Sequence, residues 1–282
     1  MKSYGIWSIA ALSVGLATAF PSEAAAVTVH CTQGGSLQSA IYATPPGGIV
    51  NISGRCADGP YYVYRDVNLV GLDDTAILAA PAGDRVLYIT AANVSLQRLH
   101  IDATASVFGV IVEERGKAAL DGVEVYGASG PGILVQLTSY ASIVQSRSHH
   151  NSIGIDVVGS SSAWIVDSEA RNNTDYGIQA RKASALDVIS SRATSNSHGL
   201  VVDESSAAEL HDVTLRNNGF GVWVPHVAVV RFTGTLSTVE ENAVDVQCGA
   251  GGSVLFDAPQ LSVTKRTGFD ARCVVENQPF VP

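Results

Sequence analysis

The stretch 132-GILVQLTSYASIVQSRSHHNSI-153 runs on as 154-GIDVVGSSSAWIVDSEARNNTDY-176 and then as 177-GIQARKASALDVISSRATSNSH-198. Each segment opens on glycine, alternates apolar with variable residues, passes a second apolar run and closes near an asparagine. The opening recurs at Gly109, Gly132, Gly154, Gly177, Gly199 and Gly221, at spacings of 23, 22, 23, 22 and 22 residues. Self-similarity at such a period marks a solenoid, whose repeats bury their apolar faces only against neighbouring repeats.

Alternation inside the openings assigns the faces. The residue after glycine is Val110, Ile133, Ile155, Ile178, Leu200 or Val222, and two positions on stand Val112, Val135, Val157, Ala180, Val202 and Val224. Both columns are apolar in every copy, while the position between them varies. A period of two therefore puts the uniform columns inside and the variable one outside. A second strand is marked by Leu120, Ile143, Ile165, Val188 and Leu210. Asn151, Asn173, Asn196 and Asn218 close successive copies at one register, which suits turns and an internal amide ladder. Leucine-rich repeats and the calcium-binding nonapeptide both need residues these copies lack. Short strands, three to a coil, fit the period, and the fold expected is all-β: a single-stranded right-handed parallel β-helix.

Before Gly109 the pattern loosens, although strand-like runs continue at 67–70, 76–78, 86–89, 94–96 and 99–101. Residues 36–41 suit a short N-terminal capping helix, with Ser36 as N-cap and Leu37 and Ile41 on one face. Such a helix would cover the open end of the first coil, which otherwise offers unpaired strand edges.

The N-terminus has the marks of a targeting segment. Lys2 precedes the apolar stretch 6–20, and small residues at 22–26 offer cleavage sites. The division expected is a signal peptide at 1–26 and one β-helix domain at 27–282. The apolar run is short for a bilayer span and no later segment resembles one, so the protein is expected to be secreted or periplasmic, with no membrane span after cleavage. Loss of Lys2 and Glu23 leaves the net charge at −9. That acidity argues against nucleic acid as a partner, and against polyanionic sugars unless a basic patch or calcium bridges the repulsion. Cys31, Cys56, Cys248 and Cys273 form two pairs, each spaced by 25 residues. In an exported chain, disulfides Cys31–Cys56 and Cys248–Cys273, each closing about one coil, are the expectation; a metal site lacks its usual close spacing.

The opening 31-CTQGGSLQSAIYATPPGGIVNISGRC-56, with 67-VNLVGLDDTAIL-78 and 94-VSLQRLHI-101, resembles the pectate-lyase-like right-handed β-helix superfamily, and the repeat pattern extends the resemblance to the C-terminus. That superfamily includes polysaccharide lyases, glycoside hydrolases, uronan epimerases, adhesins and a periplasmic copper-pathway protein. Its enzyme motifs are missing. The epimerase D-P-H-D survives only as the Pro-His of 224-VPHV-227, and the polygalacturonase and pectate lyase signatures are absent. The resemblance therefore implies the fold, while activity must be argued from side chains.

Those side chains stand in the outward columns. The first is Ile111, Leu134, Asp156, Gln179, Val201, Trp223; the next is Glu113, Gln136, Val158, Arg181, Asp203, Pro225; the flanking one is Glu114, Leu137, Gly159, Lys182, Glu204, His226. An aromatic ring beside carboxylates and cations suits sugar recognition, with stacking on the sugar face and polar groups on its hydroxyls. Asp156, Arg181, Lys182 and Asp203 are the candidate catalytic residues, and Gln179, Glu204, Trp223 and His226 the candidate substrate contacts. A lyase or epimerase would use Arg181 or Lys182 as base or as neutraliser of the substrate acid, with Ca2+ on Asp156, Asp203 and Glu204; no other cofactor is implied. A glycoside hydrolase would need Asp156 and Asp203 as opposed carboxylates. The competing reading makes Arg181–Asp203 and Lys182–Glu204 cross-strand ion pairs on a solvated face. His149, His150 and His198 read as solvated turn residues, and Asp73-Asp74 as a turn carboxylate pair. The leading expectation is a monomeric exported protein that binds a polysaccharide or cell-surface glycan, acting as a lyase or epimerase. The alternative is a non-catalytic structural or adhesive rod.

Overall fold

The computed structural model describes residues 26–234, 236–256 and Cys273. The expected leader lies outside these residues, except for Ala26, which begins the first strand. The chain winds as an all-β parallel solenoid of about ten coils. Each full coil contributes one strand to each of three sheets. In one coil these are Tyr140–Val144, Arg147–His149 and Ile153–Val158, which belong to what we term the first, second and third sheets. Eleven strands stack in the first sheet and nine in each of the others, among the described residues.

The stacking register is the one the alternation predicts. Val110, Ile133, Ile155, Ile178, Leu200 and Val222 pair in sequence up the third sheet, and none is more than 2% exposed. From the first sheet, Leu120, Ile143, Ile165, Val188 and Leu210 meet them in one continuous core. Each such aliphatic residue contributes about 1.5–3 kcal/mol relative to exposure, so every added coil carries its own stabilisation.

The asparagines form the expected ladder, and it runs one coil further than the repeats suggested. Asn151, Asn173, Asn196 and Asn218 are buried, and each donates from Nδ2 to the Oδ1 of the next, the last to Asn242, at 3.0–3.3 Å. The recurrent glycine is the counterpart of this ladder. A Cβ on Gly154 would stand 2.8 Å from Asn173 Nδ2 and 2.5 Å from the Gly177 carbonyl oxygen, and Gly177 and Gly199 are equally crowded. The glycine therefore marks where the amide stack and the next coil leave no room for a side chain. Buried serines make shorter ladders at the other corners: Ser146 N donates to Ser168 Oγ, and Ser168 N to Ser191 Oγ, at 3.0–3.1 Å.

Helix Leu37–Ala43 forms where expected. Ser36 Oγ accepts from Ser39 N, and Leu37 and Ile41 are fully buried against the first strands. Both disulfides form as paired, with Cα atoms 4.9 Å apart for Cys31–Cys56 and 5.2 Å for Cys248–Cys273. No helix among the described residues is long and apolar enough to cross a membrane.

Candidate functional site: the outer trough of the third sheet

The variable column is confirmed as outward, and it extends in both directions. Tyr88, Ile111, Leu134, Asp156, Gln179, Val201, Trp223 and Gln247 stand in unbroken register. It is not the solvated face that the alternation suggested. Ile111, Leu134, Asp156, Gln179 and Val201 are between 0 and 8% exposed. Pro131, Ile153, Tyr176, His198 and Phe220 flank them on one side, and Glu113, Gln136, Val158, Arg181 and Asp203 on the other. The outward strand thus becomes the floor of a trough between two flanking rows of side chains.

Burial changes the electrostatics. Asp156, with no solvent exposure, lies in the floor between Leu134 and Gln179 and is held by Arg181: Nη2 to Oδ2 at 2.8 Å and Nε to Oδ1 at 3.3 Å. The hydrogen bond to this carboxylate raises the guanidinium pKa against the opposing effect of burial. The expected Arg181–Asp203 pair is not formed, because Arg181 reaches back one coil to Asp156. Asp203 instead takes His226 Nδ1 at 2.7 Å. Lys182 and Glu204 are exposed turn residues with φ of 59° and 50°, on the rim of the trough. They lie beyond the strand ladder and no Lys182–Glu204 pair forms among the described contacts.

The trio proposed for calcium does not fit that ion. Asp156 is committed to Arg181 and Asp203 to His226, and no three acidic, histidine or cysteine side chains converge on a metal position among the described residues. The same commitment separates Asp156 from Asp203 as an opposed hydrolytic pair, since Arg181 stands over Asp156.

Trp223 is half-buried in an aromatic stack. Its ring centroid lies 4.8 Å from that of His198, which is 4.8 Å from Phe220 and 5.1 Å from Tyr176. His198 is accordingly no solvated turn residue: it opens strand His198–Val202, its Nδ1 is enclosed with no hydrogen-bond partner among the described residues, and burial pushes its pKa down. His149 is also a strand residue, 13% exposed and bonded to Glu124, whereas His150 is exposed in the turn. Asp73 keeps its turn role, accepting from Thr75 N at 2.8 Å.

The opposite end of the trough holds residues that the glycine-keyed repeats missed. Tyr88, one coil before Gly109, meets Tyr62 and Tyr64 edge-on, carries Arg85 over its ring at 4.7 Å, and hydrogen-bonds Glu113. Burial, then the Glu113 carboxylate, pushes its phenol up to about 12. Gln136 donates to the other oxygen of Glu113 at 2.5 Å. Tyr88 already stands in an apolar-alternating run, so extending the columns backward would have found it. Trp164, 38% exposed on the outer face of the first sheet, was discoverable by the same alternation.

Residues 108–267 match the family model described as the right handed beta helix region. Among solved structures, the chain is similar to the A-module of the Azotobacter vinelandii mannuronan C-5 epimerase AlgE6, with a TM-score of 0.62, 16% identity, and 83% of this chain and 79% of that one covered. It is also similar to pectate lyase Pel9A, with a TM-score of 0.59, 16% identity and coverage of 89% and 73%. A third likeness is to the enzymatically active domain of the bacteriophage CBA120 tailspike protein 2, with a TM-score of 0.57 and 10% identity, covering 82% of this chain but 43% of that one. No curated protein matches the sequence.

Proposed function

The chain belongs to the right-handed β-helix family, and we propose that it is an exported protein that binds a polysaccharide along the trough of the third sheet and acts on it as a lyase or epimerase. The observation that carries this reading is the Asp203–His226 pair, one coil from the Arg181–Asp156 pair and beside the aromatic stack of Trp223. His226 is exposed and Asp203 only partly so. A carboxylate bonded to Nδ1 favours the tautomer that donates from that nitrogen, which leaves Nε2 free as a base. Arg181, anchored from below by a buried carboxylate, is the group that would neutralise a substrate acid. Neutralisation makes the adjacent C–H more acidic, and His226 rather than Arg181 or Lys182 then takes the proton. Trp223, Phe220 and Tyr176 offer stacking surfaces for sugar rings. Gln179 in the floor and Lys182 and Glu204 on the rim supply hydroxyl contacts. Asp156 is a positioning residue in this scheme, acting through Arg181.

Other parts of the proposal follow from the architecture. Two disulfides suit an oxidising compartment, and a signal peptide at 1–26 would deliver the chain there. Helix Leu37–Ala43 is proposed as the cap of the first coil, its buried Leu37 and Ile41 covering the end of the core. The test is incubation with polymannuronate, polygalacturonate and neutral glucans. The expected result is unsaturated-uronate absorbance, or exchange of the substrate C–H with deuterated solvent, abolished by His226→Gln. Binding, followed by tryptophan fluorescence, is expected to be lost in Trp223→Ala. Absence of any response to every glycan would refute the reading and favour a non-catalytic rod.

A further inference from the structure

A second site lies away from the trough, where the first sheet turns into the second. At this corner Arg98, Gly122, Gln145, Asp167, Ser190 and Asp212 all take the left-handed backbone conformation, with φ between 48° and 62°. Five of the six coils place a side chain there; Gly122 does not. A Cβ on Gly122 would meet only Arg98 Cγ, at 3.8 Å, so the missing side chain leaves a notch that the Arg98 stem overhangs. The notch is part of a surface cavity of about 360 Å³, within the size range of small-molecule sites.

The cavity walls carry side chains whose polar groups are not used up within the protein. Arg98 and Gln145 have no side-chain hydrogen bond or ion pair among the described residues, and Arg147 has only Glu169, at 4.0 Å. Asp73 and Asp74 line the cavity from an earlier coil. Glu124 is fixed by His100 Nδ1 at 2.7 Å and by His149 Nε2 at 2.9 Å. Arg98, which has no ion pair among the described residues, and Arg147, whose paired acid Glu169 stands 4.0 Å away and whose register neighbour is Glu124, offer guanidinium forks to an anion, while Glu124, fixed by the two histidines, can still accept from hydroxyls.

We propose that this notch binds a small polyhydroxylated carboxylate, its acid on Arg98 and Arg147 and its hydroxyls on Asp74, Glu124 and Gln145. The site is independent of the trough, since it lies on different sheets and uses none of the same residues. A neutral polyol would leave Arg98 without an anion and Arg147 with only its long contact to Glu169, and a bare inorganic anion would leave the acceptor carboxylates unused.

The test is calorimetric titration of the whole protein with gluconate, with glucitol as the matched polyol lacking the acid and with inorganic phosphate as the bare anion. Two variants address the site. Gly122→Gln fills the notch with the residue that Gln145 already places at this backbone conformation one coil on, so the fold is retained. The Arg98→Gln/Arg147→Gln pair removes the receptor. Saturable gluconate binding is expected, weakened about tenfold or more by either change, as loss of charge-assisted bonds implies. It should be unchanged in Trp223→Ala, which disables the trough alone. The proposal is overturned by absence of gluconate binding, by equal affinity for glucitol or phosphate, by affinity that survives Gly122→Gln, or by loss of binding in Trp223→Ala.

Discussion

Replacing Arg181 by methionine would strand the Asp156 carboxylate in the trough floor. Asp156 has no solvent exposure, and its two oxygens accept from Arg181 Nη2 and Nε at 2.8 and 3.3 Å. Its register neighbour Leu134 and the flanking Val158 are apolar, and Gln179, the neighbour on the other side, offers at most a neutral amide in place of the guanidinium. Removing one member of a fully buried pair costs about 3–5 kcal/mol. The Arg181 side chain is 34% exposed, so water screens part of that loss, and about 2–3 kcal/mol is the expected cost. For a chain of this size that is a fall in Tm of about 5–10 °C. The double variant Asp156→Leu/Arg181→Met replaces the pair by apolar groups of similar volume and is expected within about 1 kcal/mol of the parent. Urea and thermal unfolding of the three proteins measure these differences, and fluorescence titration with acidic glycan measures binding. If the pair serves the trough, the double variant is stable and does not bind; if it only holds the strands together, the double variant is stable and binds unchanged. A neutral Arg181→Met single variant would refute the reasoning itself, because a sealed carboxylate cannot lose its only cation without cost.

Asn196→Ala removes a side chain that donates to Ala170 O and to Asn218 Oδ1 and accepts from Asn173. It is expected to cost about 2–3 kcal/mol in urea unfolding, since buried partners are left unsatisfied. Reducing Cys31–Cys56, whose partners are 25 residues apart, is expected to cost about 3 kcal/mol, seen as a lower Tm with reductant and matched by Cys31→Ala/Cys56→Ala. His198 is held below its ordinary value of 6.5 by burial. The unfolded chain therefore binds this proton first, and stability is expected to be full above pH 6.5 and to decline as pH falls below it. His198→Phe should remove that part of the decline in unfolding midpoints measured across the range. Asp102 and Glu124 are held below their ordinary carboxyl values because hydrogen bonds, to Thr104 and Arg55 and to the two histidines, outweigh the opposing effect of burial. Their contribution is present above the ordinary carboxyl range and is lost only at more acidic pH, which separates it from that of His198.

The coil itself was legible because its cause is local and repeated. Glycine, an apolar pair and asparagine recur at one period, and a period of two assigns faces without any knowledge of neighbours. The disulfides followed from spacing that matches one coil, and the capping serine from its place before an apolar helical face. The Tyr88 end of the trough was missed because the coils there lack the glycine that keyed the repeat.

Sequence alone determined the architecture, the stacking register and which residues face outward, because these depend on alternation along one chain. Only the tertiary structure decided that the outward column is buried from Ile111 to Val201, that Arg181 turns back to Asp156 while Asp203 takes His226, and that Gly122 opens a notch under Arg98. Long side chains can reach either the preceding or the following coil at almost equal distance. The choice rests on which neighbour is desolvated, and that is a property of the stacked coils together.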